Sequence, residues 1–184
     1  MAVQEHHAES SLDRYIAEVR AAWGDGKDPQ LPFKVAALME KLFASTSPDD
    51  PWMAKLIREG KPSRELYRDP DLGFIQMGHI HKQGHGNKPH DHGPCWVVYG
   101  SYKGVTEITK YKRTDDGSQE GTAQLEKERF DRLTPGIVVP YLPGEIHSTN
   151  AIEGPGVIFR FLSYDLEKID RYRYNPEKST VAKV

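Results

Sequence analysis

Histidines at two places in the sequence have the spacing of a metal site. His90 and His92 are separated by one residue, so on a β-strand both imidazoles project to the same face and can meet one metal ion. Farther along, a turn at Pro143-Gly144 leads into His147, which would present a third imidazole from a neighbouring strand. Three neutral nitrogens on one side of a cation leave the opposite positions open for a substrate and oxygen. We therefore predict that these three histidines bind one divalent metal ion.

Two further groups are candidates for chemistry. His79 and His81 have the same one-residue spacing and are a rival or second metal site, although no distant motif partners them. Cys95 is the only cysteine, which excludes an internal disulfide or a zinc-ribbon cluster and agrees with a reducing compartment. Its two interpretations are a buried small apolar side chain and a thiol on the face shared with the histidines.

The elements that must position these residues change character near residue 70. Before it, apolar residues recur at helical spacing, which predicts short amphipathic helices over residues 10–60. The three apolar stripes are Leu12, Tyr15, Ile16, Val19 and Trp23, then Val35, Leu38, Met39, Leu42 and Phe43, then Trp52, Leu56 and Ile57. After it, short β-rich runs between glycines and prolines predict a sandwich or barrel. The runs are 74–77, 96–99, 105–111, 137–139 and 157–161.

Length and composition predict one domain. A chain of 184 residues that is 37% hydrophobic can bury one sizeable core. We expect a single domain over 1–184, with its barrel at 70–165 and a C-terminal extension at 166–184. The extension is polar from Asn175 onward, so its end is expected to fray.

Charge and hydrophobicity limit the classes of partner that this chain is expected to bind. The 25 basic residues are balanced by 27 acidic ones and form no basic stripe, so no nucleic-acid partner is expected. The N-terminal ten residues carry no apolar core of the signal-peptide kind, and no eighteen apolar residues run together. We therefore expect no membrane partner and a cytoplasmic location. Exposed edge strands often pair, which leaves both a monomer and a homodimer open.

The histidine motifs resemble those of the cupin superfamily, a His-x-His segment that ends in glycine and a later Pro-Gly-x-x-His segment. Within that superfamily the chain resembles the cysteine dioxygenases and 3-mercaptopropionate dioxygenases, the thiol dioxygenases, in the order and spacing of 64–70, Phe74, 84–86 and 89–92. Many cupins place a glutamate four or five residues after the second histidine, where this chain has Trp96 and Val97. A three-histidine site without a carboxylate is what the thiol dioxygenases use. The resemblance implies a mainly β fold, the cupin double-stranded β-helix (jelly-roll barrel), with an N-terminal segment of short α-helices.

The same resemblance implies an activity. The chain would be a non-haem iron(II) dioxygenase that adds O2 to the sulfur of a small thiol, cysteine or a mercapto acid, to give a sulfinate. Metal coordination would keep the sulfur deprotonated and bring sulfur and oxygen together. Imidazole and thiolate ligands suit iron(II), and zinc, nickel and manganese are the other divalent candidates. The partners implied are the small thiol or acid substrate and O2.

A substrate-binding arginine also follows from the resemblance. In the thiol dioxygenases an arginine before the first core strand pairs with the substrate carboxylate, and ungapped alignment through 84–86 matches it to Arg64. Arg68 is the competitor. Either guanidinium would offer a planar fork for two hydrogen bonds to a carboxylate, and its distance from the metal would select the substrate's chain length.

Three more positions take their roles from the family. Tyr164, seventeen residues beyond the third histidine, matches the family's catalytic tyrosine. Arg160 stands where the family has a residue that supports this tyrosine, so it is a candidate to line the pocket and bind an anion. Cys95 lies two residues before the family cysteine that can crosslink to the tyrosine, and it is a candidate substrate contact.

Two other function classes stay open. The missing support for the family tyrosine favours another metal-dependent cupin enzyme, for example a dioxygenase that cleaves carbon-carbon bonds. The third class is a non-catalytic cupin that binds a metal or a small acid. Sulfinate production from added thiols separates the first two classes, and oxygen consumption separates both from the third.

Overall fold

The computed structural model describes residues 9–184, and most of the N-terminal stretch interpreted above as lacking a signal-peptide core lies outside it. Three helices come first: α1 (Ser11–Trp23), α2 (Leu31–Ser45) and α3 (Pro51–Glu59). A capping box begins α1, in which the Ser10 hydroxyl accepts a hydrogen bond from the Asp13 amide and the Asp13 carboxylate accepts one from the Ser10 amide. The predicted short helices are confirmed. No helix within residues 9–184 has the length and apolar composition needed to cross a membrane.

The helices are followed by strands that pair only in the antiparallel sense. They are β1 (Arg64–Arg68), β2 (Ile75–His81), β3 (Gly86–His90), β4 (Val97–Arg113), β5 (Leu125–Leu133), β6 (Val138–Tyr141), β7 (Ile146–Leu162), β8 (Tyr172–Asn175) and β9 (Thr180–Lys183). A short 3-10 helix, Leu166–Lys168, separates β7 from β8.

The two long strands, β4 and β7, divide the sheet into two halves. In the first half, residues 97–103 of β4 pair with 157–162 of β7, and β1, β2 and β6 complete it. In the second half, residues 106–111 of β4 pair with 146–151 of β7, and β3, β5, β8 and β9 complete it. Two antiparallel halves that share their long strands form the double-stranded β-helix, so the predicted mainly β fold is confirmed.

Alternate side chains of the first half enter two different apolar clusters. On β7, Phe159 and Phe161 are fully buried in the cluster that includes the apolar faces of the helices. On the same strand, Ile158 and Leu162 belong to a second cluster inside the barrel, where they meet Ile108 of the other half. Successive strand residues point to opposite faces. The helices therefore cover the outer face of the first half, and the barrel interior is left for the functional side chains.

Several strand bounds differ from those predicted. The runs at 96–99 and 105–111 form one continuous strand, β4, and the first strand begins at Arg64, before residue 70. The strand β5 was not predicted, because six of its nine residues are charged and only its ends and Phe130 carry an apolar signal. Residues from Asn175 onward do not all fray as expected, since β9 pairs along its length with β8.

Candidate metal centre

The three predicted histidines come together beside the paired ends of β3 and β7. His90 is the last residue of β3 and is paired directly with His147 of β7. His92 lies beyond the strand rather than on it, because a turn closed by a hydrogen bond from the Cys95 amide to the His92 carbonyl (3.0 Å) follows β3. One nitrogen from each ring lies within 4.8 Å of the other two. Within residues 9–184 no other group of three histidine, cysteine or acidic side chains converges in this way.

All three imidazoles are held in the neutral form that binds metals. His90, His92 and His147 are 8%, 3% and 0% exposed. Burial lowers the pKa of His90 below its usual value and lowers the pKa of His92 and of His147 well below it. A neutral imidazole keeps a free lone pair for coordination.

The ring nitrogens of the triad differ in their hydrogen-bond partners. The buried Nδ1 atoms of His92 and His147 have no hydrogen-bond partner within the part of the chain that the structure describes. Buried polar atoms without a partner are rare in proteins. The Nδ1 atom of His90 lies 2.8 Å from the Lys88 carbonyl oxygen, the kind of backbone contact that orients a ligand histidine. Three neutral imidazoles with one nitrogen each within 4.8 Å of the other two are a donor set suited to one divalent ion.

A tyrosine that was not singled out from the sequence lies against this triad. The hydroxyl oxygen of Tyr99, on β4, is 3.3 Å from Nε2 of His92 and 3.4 Å from Nε2 of His147. Burial raises the pKa of the Tyr99 phenol, so the group stays protonated and can donate a hydrogen bond. The alternation of β4 was visible in the sequence, but nothing local says which of its faces lines the barrel interior.

A cavity of about 330 Å³ opens onto His90 and His92. It is lined by Gly86, Asn87, Lys88, His90, His92, Arg160, Arg171 and Arg173. Arg160 lies opposite Tyr99 in the register of β7 and β4, so the two side chains project to the same face of the sheet. The structure therefore brings one of the predicted anion-binding candidates, Arg160, to the histidines.

Arg64 and Arg68, the substrate-binding candidates taken from the resemblance, are placed elsewhere. Both lie on β1, and neither lines the cavity. Arg64 forms an ion pair with Glu59. Arg68 forms ion pairs with Glu65 and Asp165, each at 2.7 Å. Both guanidinium groups therefore have carboxylate partners outside the cavity lining, whereas the resemblance implied that one of them pairs with the carboxylate of the substrate.

Tyr164 and Cys95 also lie away from the cavity lining. Tyr164 follows the end of β7 and is 47% exposed. Cys95 is buried in the apolar cluster inside the barrel, where its thiol donates a hydrogen bond to the Trp96 carbonyl oxygen at 3.2 Å. Burial raises the pKa of Cys95, which keeps the sulfur protonated and unreactive. The tyrosine at the triad is Tyr99 rather than Tyr164, and Cys95 has the surroundings of a buried small apolar side chain.

The second candidate pair, His79 and His81, lies on β2, and its ring nitrogens are less well placed to bind a metal ion than those of the triad. The rings of His79 and His81 have centroids 5.3 Å apart, and His85 adds a third ring 4.2 Å from that of His81. Nδ1 of His79 contacts the Pro62 carbonyl oxygen at 3.0 Å. Burial lowers the pKa of His79 to about 3 and that of His81 to about 4. Their ring nitrogens do not converge as those of the triad do.

Gly93, directly after the second histidine, is required by both its backbone angle and its packing. Its φ is 55°, and a Cβ there would overlap the carbonyl oxygen of Asp170. We expect Gly93→Ala to lower the free energy of unfolding by about 2–5 kcal/mol, since positive φ costs about 1–2 kcal/mol and overpacking about 1–3 kcal/mol. Gly73→Ala is the matched control, because Gly73 has a φ of 78° but no atom within 4 Å of its added Cβ. Urea unfolding of both metal-free variants measures the difference, and equal losses would contradict the close contact with Asp170.

No protein-family model matches this chain, and no curated protein matches it either. Among solved structures, KdgF from Halomonas sp. is 17% identical with a TM-score of 0.41, over 54% of this chain and 76% of that one. A cupin superfamily protein from Desulfitobacterium hafniense is 13% identical with a TM-score of 0.41, over 56% and 76%. The cupin domain of Cnp3 from Schizosaccharomyces pombe is 12% identical with a TM-score of 0.43, over 58% and 62%. At these values the likenesses carry no conclusion about function, and the fold class rests on the strand pairings of this chain.

Proposed function

We propose that this chain is a non-haem iron(II) dioxygenase of the cupin class that adds O2 to the sulfur of a small thiol to give a sulfinate. The observation that carries the proposal is the convergence of His90, His92 and His147 beside a cavity, with no carboxylate in the set. Three neutral imidazoles leave the charge of a divalent ion uncompensated, which favours an anionic ligand such as a thiolate. Iron(II) is assigned because imidazole and thiolate ligands suit it.

Each group at the site has a role in this reaction. Bound iron(II) would supply neighbouring coordination positions for a thiolate and O2. The Tyr99 hydroxyl, beside two of the three imidazoles, donates a hydrogen bond to the atoms that react there. Arg160 holds an anionic group of the substrate. In the net reaction both oxygen atoms of O2 become bonded to sulfur, the thiol becomes a sulfinic acid, and the four electrons lost by sulfur reduce O2.

A second candidate is another metal-dependent cupin oxygenase, such as one that cleaves a carbon-carbon bond. The observation that favours it is the position of Arg64 and Tyr164 outside the cavity lining. Those are two residues through which the resemblance tied the chain to thiol chemistry. A cupin that binds a metal and a small acid without catalysis would use the same histidines, and only turnover separates it from the two enzymes.

Oxygen uptake by the anaerobically iron(II)-loaded protein tests the proposal. We expect uptake with a carboxylated thiol, one O2 per sulfinate formed, when cysteine, 3-mercaptopropionate, cysteamine and a diketone are compared and products are identified by mass spectrometry. The His147→Ala protein, treated identically, reports the background from unbound iron. Uptake with the diketone alone would favour the carbon-carbon-cleaving candidate. Bound iron with no uptake from any compound would favour a non-catalytic protein.

A further inference from the structure

The cavity beside the triad is lined by more positive charges than a single carboxylate would neutralise. Four cationic side chains line it, and no carboxylate does: Lys88, Arg160, Arg171 and Arg173. None of the four forms an ion pair within residues 9–184. Asp170, the acidic residue beside Arg171, pairs with Lys183 at 2.7 Å instead. The charge of the cavity wall is therefore available to a ligand.

This charge lies beside the two histidines that line the same cavity. In addition, the buried Nε of Arg160 has no hydrogen-bond partner among the described residues. Several uncompensated positive charges beside a divalent cation repel it, and a buried guanidinium nitrogen without a partner is costly. A ligand with more than one negative charge would offset the repulsion between these cations and a divalent ion.

Asp91, the residue between His90 and His92, holds Arg171 and Arg173 at the cavity. The Asp91 carboxylate accepts hydrogen bonds from the Gly93 amide (2.9 Å), the Tyr172 amide (3.2 Å) and the Tyr174 hydroxyl (2.7 Å). These bonds fix β8 against the metal-binding segment. Arg171 and Arg173 flank Tyr172, and alternate residues of an extended chain project to one face. Their positions are therefore built into the fold rather than left to a loose chain end.

We propose that the substrate is a small thiol acid with two anionic groups besides its sulfur. Arg160, opposite Tyr99 and facing the barrel interior, binds the anionic group nearer the metal, and Arg171 and Arg173 bind the outer one. Arg–carboxylate pairs are the favoured arrangement for such recognition, and the cavity size is within the range of small-molecule sites. This assignment rests on the proposed function for the role of sulfur.

Ligand binding to the zinc-loaded protein tests this inference without relying on turnover. The probes are mercaptosuccinate, which carries two carboxylates, and 3-mercaptopropionate, which carries one, with dissociation constants from calorimetry. We expect mercaptosuccinate to bind about tenfold more tightly or better, since a charge-assisted hydrogen bond contributes about 1.5–3 kcal/mol. In the double variant Arg171→Gln/Arg173→Gln the two affinities should become similar, with the affinity for 3-mercaptopropionate nearly unchanged. Equal affinities in the unmodified protein, or a preference that survives in the double variant, would overturn the inference.

Two controls keep this result separate from the proposed function. Lys178→Gln removes a cation from the same C-terminal hairpin but outside the cavity lining, so it should retain the preference. Metal content is measured on every sample, and succinate and propionate are titrated into the metal-free protein. Failure to retain any metal counts against the proposed function alone. Tighter binding of succinate than propionate to the metal-free protein supports the arginine assignment, and equal binding there counts against it.

Discussion

Replacing His147 by alanine is expected to abolish retention of the metal. The side chain is fully buried and offers one of the three histidine nitrogens that converge within residues 9–184. Removal of a partner that merely supports a ligand already costs about 10- to 100-fold in metal affinity, so the loss of a ligand itself should exceed that. Elemental analysis after dialysis against a weak chelator measures retention. The unmodified protein should keep one ion per chain and the variant none.

His81→Ala is the matched control for this loss, because it also removes an imidazole that faces a histidine neighbour. It should keep the full metal content and the rise in melting temperature that metal binding produces. Circular dichroism of the metal-free proteins shows whether both variants are folded before metal is added. Stoichiometric metal in folded His147→Ala would contradict the assigned triad. Metal lost from His81→Ala but kept by His147→Ala would transfer the site to the pair on β2.

The three histidines could be predicted from the sequence because the features that position them lie within a few residues of each. The spacing of His90 and His92 and the turn at Pro143-Gly144 before His147 are each set within a few residues, and Gly144 adopts a φ of 74° in that turn. The helices were predictable for the same reason, since the stripe containing Tyr15 follows a single 3.6-residue period and its buried face matches. Local periodicity and turn chemistry were therefore enough to predict the helices and the three histidines that converge.

The side chains around the three histidines are positioned by strand register, which cannot be read from a local sequence pattern. Tyr99 and Arg160 are 61 residues apart and meet only because β4 and β7 pair with these two residues opposite each other. Arg171 and Arg173 reach the cavity at the start of β8, whose polar sequence gave no strand signal and whose position depends on hydrogen bonds to Asp91. Pairings at long range combine turn geometry, burial and side-chain contacts, so no local pattern encodes them.

The resemblance pointed to the three histidines that converge, whereas the arginine that it matches to the family's substrate-binding residue lies outside the cavity lining. Ungapped alignment assumes that a residue's place in the chain fixes its place in the fold. Arg64 does lie before the core strands, as the family arginine does, yet on β1 it forms an ion pair with Glu59. The anion-binding role can move to another strand if that strand faces the same interior, and Arg160 on β7 meets this condition. Chain position alone therefore does not determine which arginine lines the cavity.

Replacing Arg160 by glutamine is expected to weaken binding of 3-mercaptopropionate to the zinc-loaded protein about 10- to 100-fold. The guanidinium lies in the cavity lining and forms no ion pair within residues 9–184, so its charge is available to a carboxylate. A hydrogen bond to a charged group contributes about 1.5–3 kcal/mol, which corresponds to that range. Ethanethiol, which has no carboxylate, should lose little affinity. Calorimetry with both thiols measures the two effects on the same preparation.

Arg64→Gln is the control that decides between the position implied by the resemblance and the position seen in the fold. Because Arg64 is paired with Glu59 outside the cavity lining, its removal should leave the affinity for 3-mercaptopropionate unchanged. Metal content adds a second distinction: Arg160 is not one of the three converging side chains, so Arg160→Gln should keep the metal content of the unmodified protein. Weaker binding of the carboxylated thiol with undiminished metal therefore identifies Arg160 as a ligand-binding residue. Loss in Arg64→Gln instead would mean that β1 approaches the metal when substrate is bound.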